Sequence, residues 1–284
     1  MRNRADSMID RTAATRYPLL LVHGMGFRDR KNQCYWGRTA KLLERHGASV
    51  FFGGQDSNGS VEDNAKCVKR SLLAALEKTG AEKVNILAHS KGGLEARYLI
   101  TRLGCADKVA SLTTLATPHR GSVTVDRLMG LVPQGVIRAG CKPIDLWFGL
   151  LGDKNPDTYA AICAFRTADA ERFNEETPDM PGIFYQSYGF IMKSAFSDGL
   201  MWFSNMVVGC FEGANDGLLP PRAVKWTNYR GTYTGIDSRG ISHFDETDFR
   251  RRRLSDKSRG KRNEIGDIPE FYLEIVKRLK KRGL

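Results

Sequence analysis

Six cysteines in 284 residues stand scattered at positions 34, 67, 105, 141, 163 and 210, with no Cys-x-x-Cys pair. Their spacing excludes the usual zinc-cluster and dithiol redox signatures. An even count permits disulfides, while buried free thiols suit an intracellular chain equally well. No apolar run approaches the ~18 residues of a membrane span. The opening stretch, Met1–Arg16, holds Asp6, Asp10 and four arginines around no apolar segment, so it is not a secretory signal. As written the chain is expected in the cytoplasm; secretion with a leader already removed stays open. Histidine is scarce at five residues, and neither internal repeats nor an RNA-binding or zinc-finger pattern is present.

Positive charge is plentiful: 44 Lys and Arg against 32 Asp and Glu leave a formal net charge of +12. Much of it falls late, in Arg250–Arg253, Lys257–Arg262 and Lys277–Arg282. Such runs could meet nucleic acid or anionic lipid, but a solvated basic face is the simpler reading. No nucleic-acid partner is expected.

Strands alternate with helices. Tyr17–Val22, Ala48–Phe52, Val84–Ala88 and Val109–Leu115 read as strands, with Ile183–Phe190 and Thr232–Ile236 following. Helices are predicted over Trp36–His46, from a Ser60 capping box to Thr79, over Leu94–Leu103, and after Asp267, whose segment should cap the last one. The alternation implies an α/β fold, a mostly parallel sheet covered by helices on both faces. It breaks down between Ser122 and Pro181, where the apolar Ile144–Leu151 reads either as a core helix or as part of a mobile lid. The expected organisation is a polar arm over residues 1–16 and a single domain over 17–284. The lid region would occupy about 122–181, and the basic segment 250–262 would be flexible.

Val84–Gly93, Val-Asn-Ile-Leu-Ala-His-Ser-Lys-Gly-Gly, carries the chemistry. An apolar strand stops at a serine, and small residues two before and two after it (Ala88 and Gly92) let strand and helix close around the bend. Ser90 is therefore the candidate nucleophile, against an ordinary surface serine. An activated serine needs a base, an acid and oxyanion donors. His23 and His119 sit in loops near the site, His46 closes a helix, and His89 is too near Ser90 in sequence to reach it productively. That leaves His243 as base. Asp216, in Asn215-Asp216-Gly217, is the candidate acid, against a plain hairpin turn. The order serine, aspartate, histidine is that of the α/β-hydrolases. Oxyanion donors would be the backbone N–H groups of Met25, in His23-Gly24-Met25-Gly26, and of Lys91.

These motifs together resemble the bacterial triacylglycerol lipases of the true-lipase family, the Pseudomonas and Burkholderia enzymes with their Proteus-like relatives. Tyr17-Pro18 to Met25 is similar to the opening strand and oxyanion loop, and Lys83–Gly93 to the nucleophile elbow. Ala116–Ser122 resembles the segment leading to the lid, Arg172-Phe173-Asn174 the return from it. Asn215–Leu218 and His243-Phe244-Asp245 resemble the acid and histidine motifs. The resemblance implies an α/β-hydrolase fold with an inserted helical lid and Ser90, Asp216 and His243 as triad. It further implies a triacylglycerol or other acyl ester as substrate, and peripheral contact with a lipid interface. It also implies a structural calcium ion bracing the histidine loop through Asp198 and Asp245, with no organic cofactor. A short-chain carboxylesterase, or a lipid- or partner-binding homologue without turnover, stays open as an alternative. The chain departs from the pattern in Ala88, where glycine is usual.

Overall fold

The computed structural model describes residues 10–26, 28, 35–237, 239–257 and 260–284. Residues 1–9 of the expected polar arm, together with Cys34 and positions 258 and 259 of the basic segment, lie outside them. Seven parallel strands form the sheet in the order β2-β1-β3-β4-β5-β6-β7. They are β1 (Leu19–Val22), β2 (Val50–Phe52), β3 (Val84–His89), β4 (Val109–Leu115), β5 (Phe184–Phe190), β6 (Tyr229–Gly235) and β7 (Glu264–Ile265). Helices α1 (Thr39–Arg45) and α2 (Val61–Thr79) follow the first two strands, α3 (Lys91–Thr101) follows β3, and α10 (Ile268–Lys281) closes the chain.

The strands carry near-continuous apolar runs because both faces are covered. Leu19 and Leu21 point to one layer with Trp36, Leu43, Tyr272 and Val276, from the α1 and α10 side. Leu20 and Val22 point to the other, with Ala65, Val68 and Leu72 of α2 and Leu99 of α3. All four β1 side chains are fully buried, each contributing about 1.5–3 kcal/mol of transfer free energy. This two-sided burial fixes β1 and β3 side by side, and their carboxyl ends carry the oxyanion loop and the serine.

Most predicted elements stand within a few residues of their expected bounds. Ser60 Oγ accepts from the Asp63 N–H at 3.1 Å, and Gly80 ends α2 in the left-handed region. The Asp267 cap differs: the last helix begins there, but the carboxylate makes no cap bond. It goes instead to Arg38, whose Nη2 lies 2.6 Å from Asp267 Oδ1 and 2.7 Å from Asp248 Oδ1. The late basic segment also differs at its start. Arg250 is tied into the domain by two ion pairs, and Leu254 N–H donates to Gly266 O. β7, too short to leave a periodic signal, adds to the sheet edge beside β6.

Between β4 and β5 stand α4 (Val123–Gly130), α5 (Gln134–Leu150), α6 (Thr158–Cys163) and α7 (Thr167–Glu176). The Ile144–Leu151 run lies in and just after α5 but not in the core: Leu146 is 67% exposed, Trp147 60% and Leu150 76%. After β5 come the short α9 (Pro221–Val224) and, before it, α8 (Trp202–Glu212), which packs against α4. Its Glu212 Oε1 accepts from Ser122 Oγ, Thr124 N–H and Thr124 Oγ1 at 2.7–2.8 Å, which satisfies the start of α4. Among the described residues no helix is long and apolar enough to cross a membrane, and no described cysteine is in a disulfide.

Candidate active site

Ser90 sits at the end of β3 with φ 52° and ψ −129°, a conformation that costs a non-glycine residue about 1–3 kcal/mol. Two glycines permit it. A Cβ on Gly92 would stand 2.4 Å from His23 O and 2.6 Å from Val22 O, and one on Gly93 would stand 2.1 Å from Thr117 Oγ1. Only bare backbone lets α3 start so close to β1 and the Thr117 loop. Ala88, by contrast, is fully buried in β3 without a strained backbone, so alanine serves where glycine is usual.

The structure brings Ser90, His243 and Asp216 together. His243 Nε2 lies 3.0 Å from Ser90 Oγ, and His243 Nδ1 lies 2.9 Å from Asp216 Oδ2. The other oxygen of Asp216 accepts from the Leu218 and Leu219 N–H groups at 2.8 and 2.7 Å, and His243 N–H donates to Asp216 O at 2.8 Å. The Asn215-Asp216-Gly217 turn is thus both a turn and the anchor of the imidazole. Burial alone would push the Asp216 carboxyl up, yet the neighbouring His243 and these N–H donors hold it below the ordinary range. An ionised carboxylate can only accept, so Nδ1–H donates and Nε2 is left to accept from the serine hydroxyl. Ser90 and His243 are each 7% exposed.

Of the two residues expected to supply oxyanion donors, one follows the serine directly and the other follows β1. Lys91 is the first residue of α3, where the backbone N–H has no intrahelical acceptor and the helix presents its positive end. Met25 stands in the loop after β1. That loop is braced by His23, whose Nδ1 lies 2.7 Å from Gly24 O, by Gln55 Nε2 donating to His23 O, and by Gly26 N–H donating to Ser57 O. The Lys91 side chain is itself buried, paired with Glu95 and donating to Gly59 O.

Of the remaining histidines, His119 faces away, with Nε2 3.0 Å from Thr114 Oγ1 and its ring stacked on Trp226. His89 lies behind His243, ring centroids 4.6 Å apart, and is fully buried. Its Nδ1 lies 2.7 Å from Tyr35 Oη and its Nε2 2.7 Å from Glu246 Oε2. Burial first, and the nearby His243 and His23, keep His89 neutral by depressing its pKa well below the ordinary value. Glu246 is the residue sequence reasoning missed. Its Oε2 lies 3.6 Å from His243 Nδ1, and burial, then the adjacent Asp216 and Asp245, push its carboxyl well above the usual range. Of the two carboxyls, the site thus favours the charge on Asp216 and the proton on Glu246. Between the unfolded and folded pKa values of Glu246 the native state binds the extra proton, so stability falls as pH rises above about 4.5. Glu246→Gln should remove that fall; denaturant unfolding at a series of pH values reads it as a variant that gains on the wild type with pH.

Asp198 and Asp245 also meet, on the guanidinium of Arg250. Arg250 Nη2 lies 2.6 Å from Asp198 Oδ1 and Arg250 Nη1 lies 2.6 Å from Asp245 Oδ1. The guanidinium fills the space where a calcium ion bridging the two carboxylates would stand, so this pair does not fit the expected metal. Among the described residues, no third His, Cys, Asp or Glu joins them in a ligand cluster.

A strained serine at a strand-to-helix bend, on a parallel sheet whose loops after β5 and β6 deliver aspartate and histidine, defines the chain as an α/β-hydrolase. Residues 18–176, more than half of the chain, match the family described as palmitoyl protein thioesterase. Triacylglycerol lipase 2 of Saccharomyces cerevisiae is 30% identical over 264 residues, 88% of this chain and 74% of that protein. The triacylglycerol lipase of Burkholderia plantarii is 35% identical over 185 residues, 60% of this chain, so the chain spans about half of that relative's length. The solved Staphylococcus hyicus lipase superposes with a TM-score of 0.66 at 17% identity, over 99% of each chain. The chain belongs to the lipase and thioesterase family of α/β-hydrolases that these matches define.

Proposed function

We propose that this chain cleaves carboxylic esters of acyl lipids, triacylglycerols foremost, through an acyl-enzyme on Ser90. That it is a carboxylic-ester hydrolase follows from its family. The observation that carries the mechanism is the continuous line from Ser90 Oγ through His243 to Asp216, at 3.0 and 2.9 Å. His243 Nε2 takes the hydroxyl proton as Ser90 Oγ attacks the ester carbonyl carbon. The N–H groups of Met25 and Lys91 hold the resulting oxyanion, and loss of one such donor would cost about 2.7–4 kcal/mol. The tetrahedral species collapses, and the alcohol leaves with the proton from His243. Water then attacks the acyl-enzyme by the same relay, returning free serine and a fatty acid. Asp216 keeps the imidazole oriented and balances its transient charge.

The proposed preference for long acyl chains rests on exposed apolar surface. α5 and α8 expose Trp147, Leu150, Phe203 and Met206 on a chain whose catalytic groups are buried. Exposed apolar helices in a chain whose serine is buried suit a lid that opens against a lipid interface. One observation favours a second reading: the matched family is described as a thioesterase, and a thioester carries the same acyl group to the same nucleophile.

The test combines a fluorophosphonate probe with a chain-length series. Labelling of Ser90, and turnover of emulsified long-chain triacylglycerol above that of short soluble esters, is the expected result. A strong preference for short soluble esters without activation at an interface would assign a carboxylesterase instead. Faster turnover of long-chain acyl thioesters would assign the thioesterase.

A further inference from the structure

Arg250 opens a run of four arginines, yet it is the one whose side chain turns inward, 21% exposed against fully buried Asp198 and nearly buried Asp245. The geometry points to Arg250 as a built-in cation that replaces a structural calcium ion and holds the His243 loop in register. The inference deepens the proposed mechanism and rests on His243 being its base.

Two carboxylates this close and this poorly hydrated require a cation between them. Calcium would supply it with six to eight oxygen ligands at about 2.3–2.6 Å. Here the planar guanidinium supplies it, giving one terminal nitrogen to each carboxylate at 2.6 Å, the bridging geometry its fork is built for. No divalent ion fits between these oxygens while the guanidinium is there.

Each end of the bridge is fastened to something that matters. Asp198 Oδ1 also accepts from Leu200 N–H at 2.9 Å, at the entry to α8. Asp245 Oδ2 accepts from Ser242 Oγ at 3.0 Å. Ser242 and Asp245 flank His243, so one guanidinium fixes the backbone on both sides of the imidazole. Its nearest fixed reference is the segment that precedes the acid loop. Arg250 is a positioning residue: it touches neither Ser90 nor a reacting atom, and acts through Asp245. Asp198 Oδ2 is buried without a hydrogen-bond partner, an acceptor that a metal could use only once the guanidinium is gone.

The test uses the full chain as wild type, Arg250→Ala, Arg250→Lys and Arg250→Ala/Asp245→Asn, each in a calcium chelator and in millimolar CaCl₂. The wild type should show the same Tm and kcat in both media. Arg250→Ala should lower Tm in chelator and lower kcat by roughly 10- to 100-fold with KM little changed, because a base displaced by about an ångström costs that much. Calcium should restore part of both losses in Arg250→Ala, but not in the double variant, which lacks one carboxylate. Arg250→Lys should lie between. A wild type that loses Tm in chelator and regains it in CaCl₂ would overturn the proposal, as would Arg250→Ala with wild-type kcat. If Arg250→Ala does not fold, the chelator response of the wild type and the kcat of Arg250→Lys still decide. The Tm arm needs no turnover; failure of the proposed chemistry would show separately, as absent fluorophosphonate labelling of the wild type.

Discussion

Replacing Ser90 with alanine is expected to lower kcat by roughly 10⁶-fold and to abolish fluorophosphonate labelling, with the far-UV circular dichroism spectrum unchanged. The size follows from what remains. The oxyanion donors at Met25 and Lys91 and the substrate-binding surface stay in place, so catalysis should not fall to that of water alone. The hydroxyl that His243 activates is gone, and no other described serine lies on that imidazole. KM should change little, since the hydroxyl contributes to bond formation more than to ground-state binding. A variant that retained one-hundredth of wild-type turnover would place the nucleophile elsewhere.

His243→Ala should cost about as much as Ser90→Ala, and the double variant should be no slower than either single one, because the two residues act as a unit. Asp216→Asn should cost less, about 10⁴-fold. Asparagine can present its NH₂ to Nδ1, which would turn the imidazole to the tautomer that no longer accepts from Ser90. Steady-state kinetics on the four proteins test this. Losses that multiply in the double variant would mean that His243 and Ser90 serve separate steps.

The serine bend was legible because its causes are local. The apolar run Val84–Ala88 needs burial on both sides, and Gly92-Gly93 permits the close return of the helix. The order of Ser90, Asp216 and His243 could likewise be read along the chain. What escaped the sequence depends on pairing across distance. Glu246 sits 157 residues from His89 and Arg250 sits 52 from Asp198; no periodicity links a buried charge to a partner that only the fold brings near. The calcium expectation rested on the two aspartates, which were visible, while the guanidinium between them was not. The same holds for Arg97 on α3. It is buried over Trp226 at 4.0 Å, donating to Asn174 Oδ1 and Thr177 O, and burial first of all lowers its pKa to about 10. Ile144–Leu151 shows a different limit. An apolar helical face has the same spacing whether it is buried in a core or left at the surface, and only its exposure distinguishes the two.

The positive φ of Ser90 has an evolutionary corollary. Glycine would occupy that bend without strain, so an inactive protein lies one substitution away and should be the more durable of the two. Screens that reward heat resistance alone would select for it. Laboratory evolution of this chain therefore has to score turnover in every round, because its hardiest descendants need not be working enzymes.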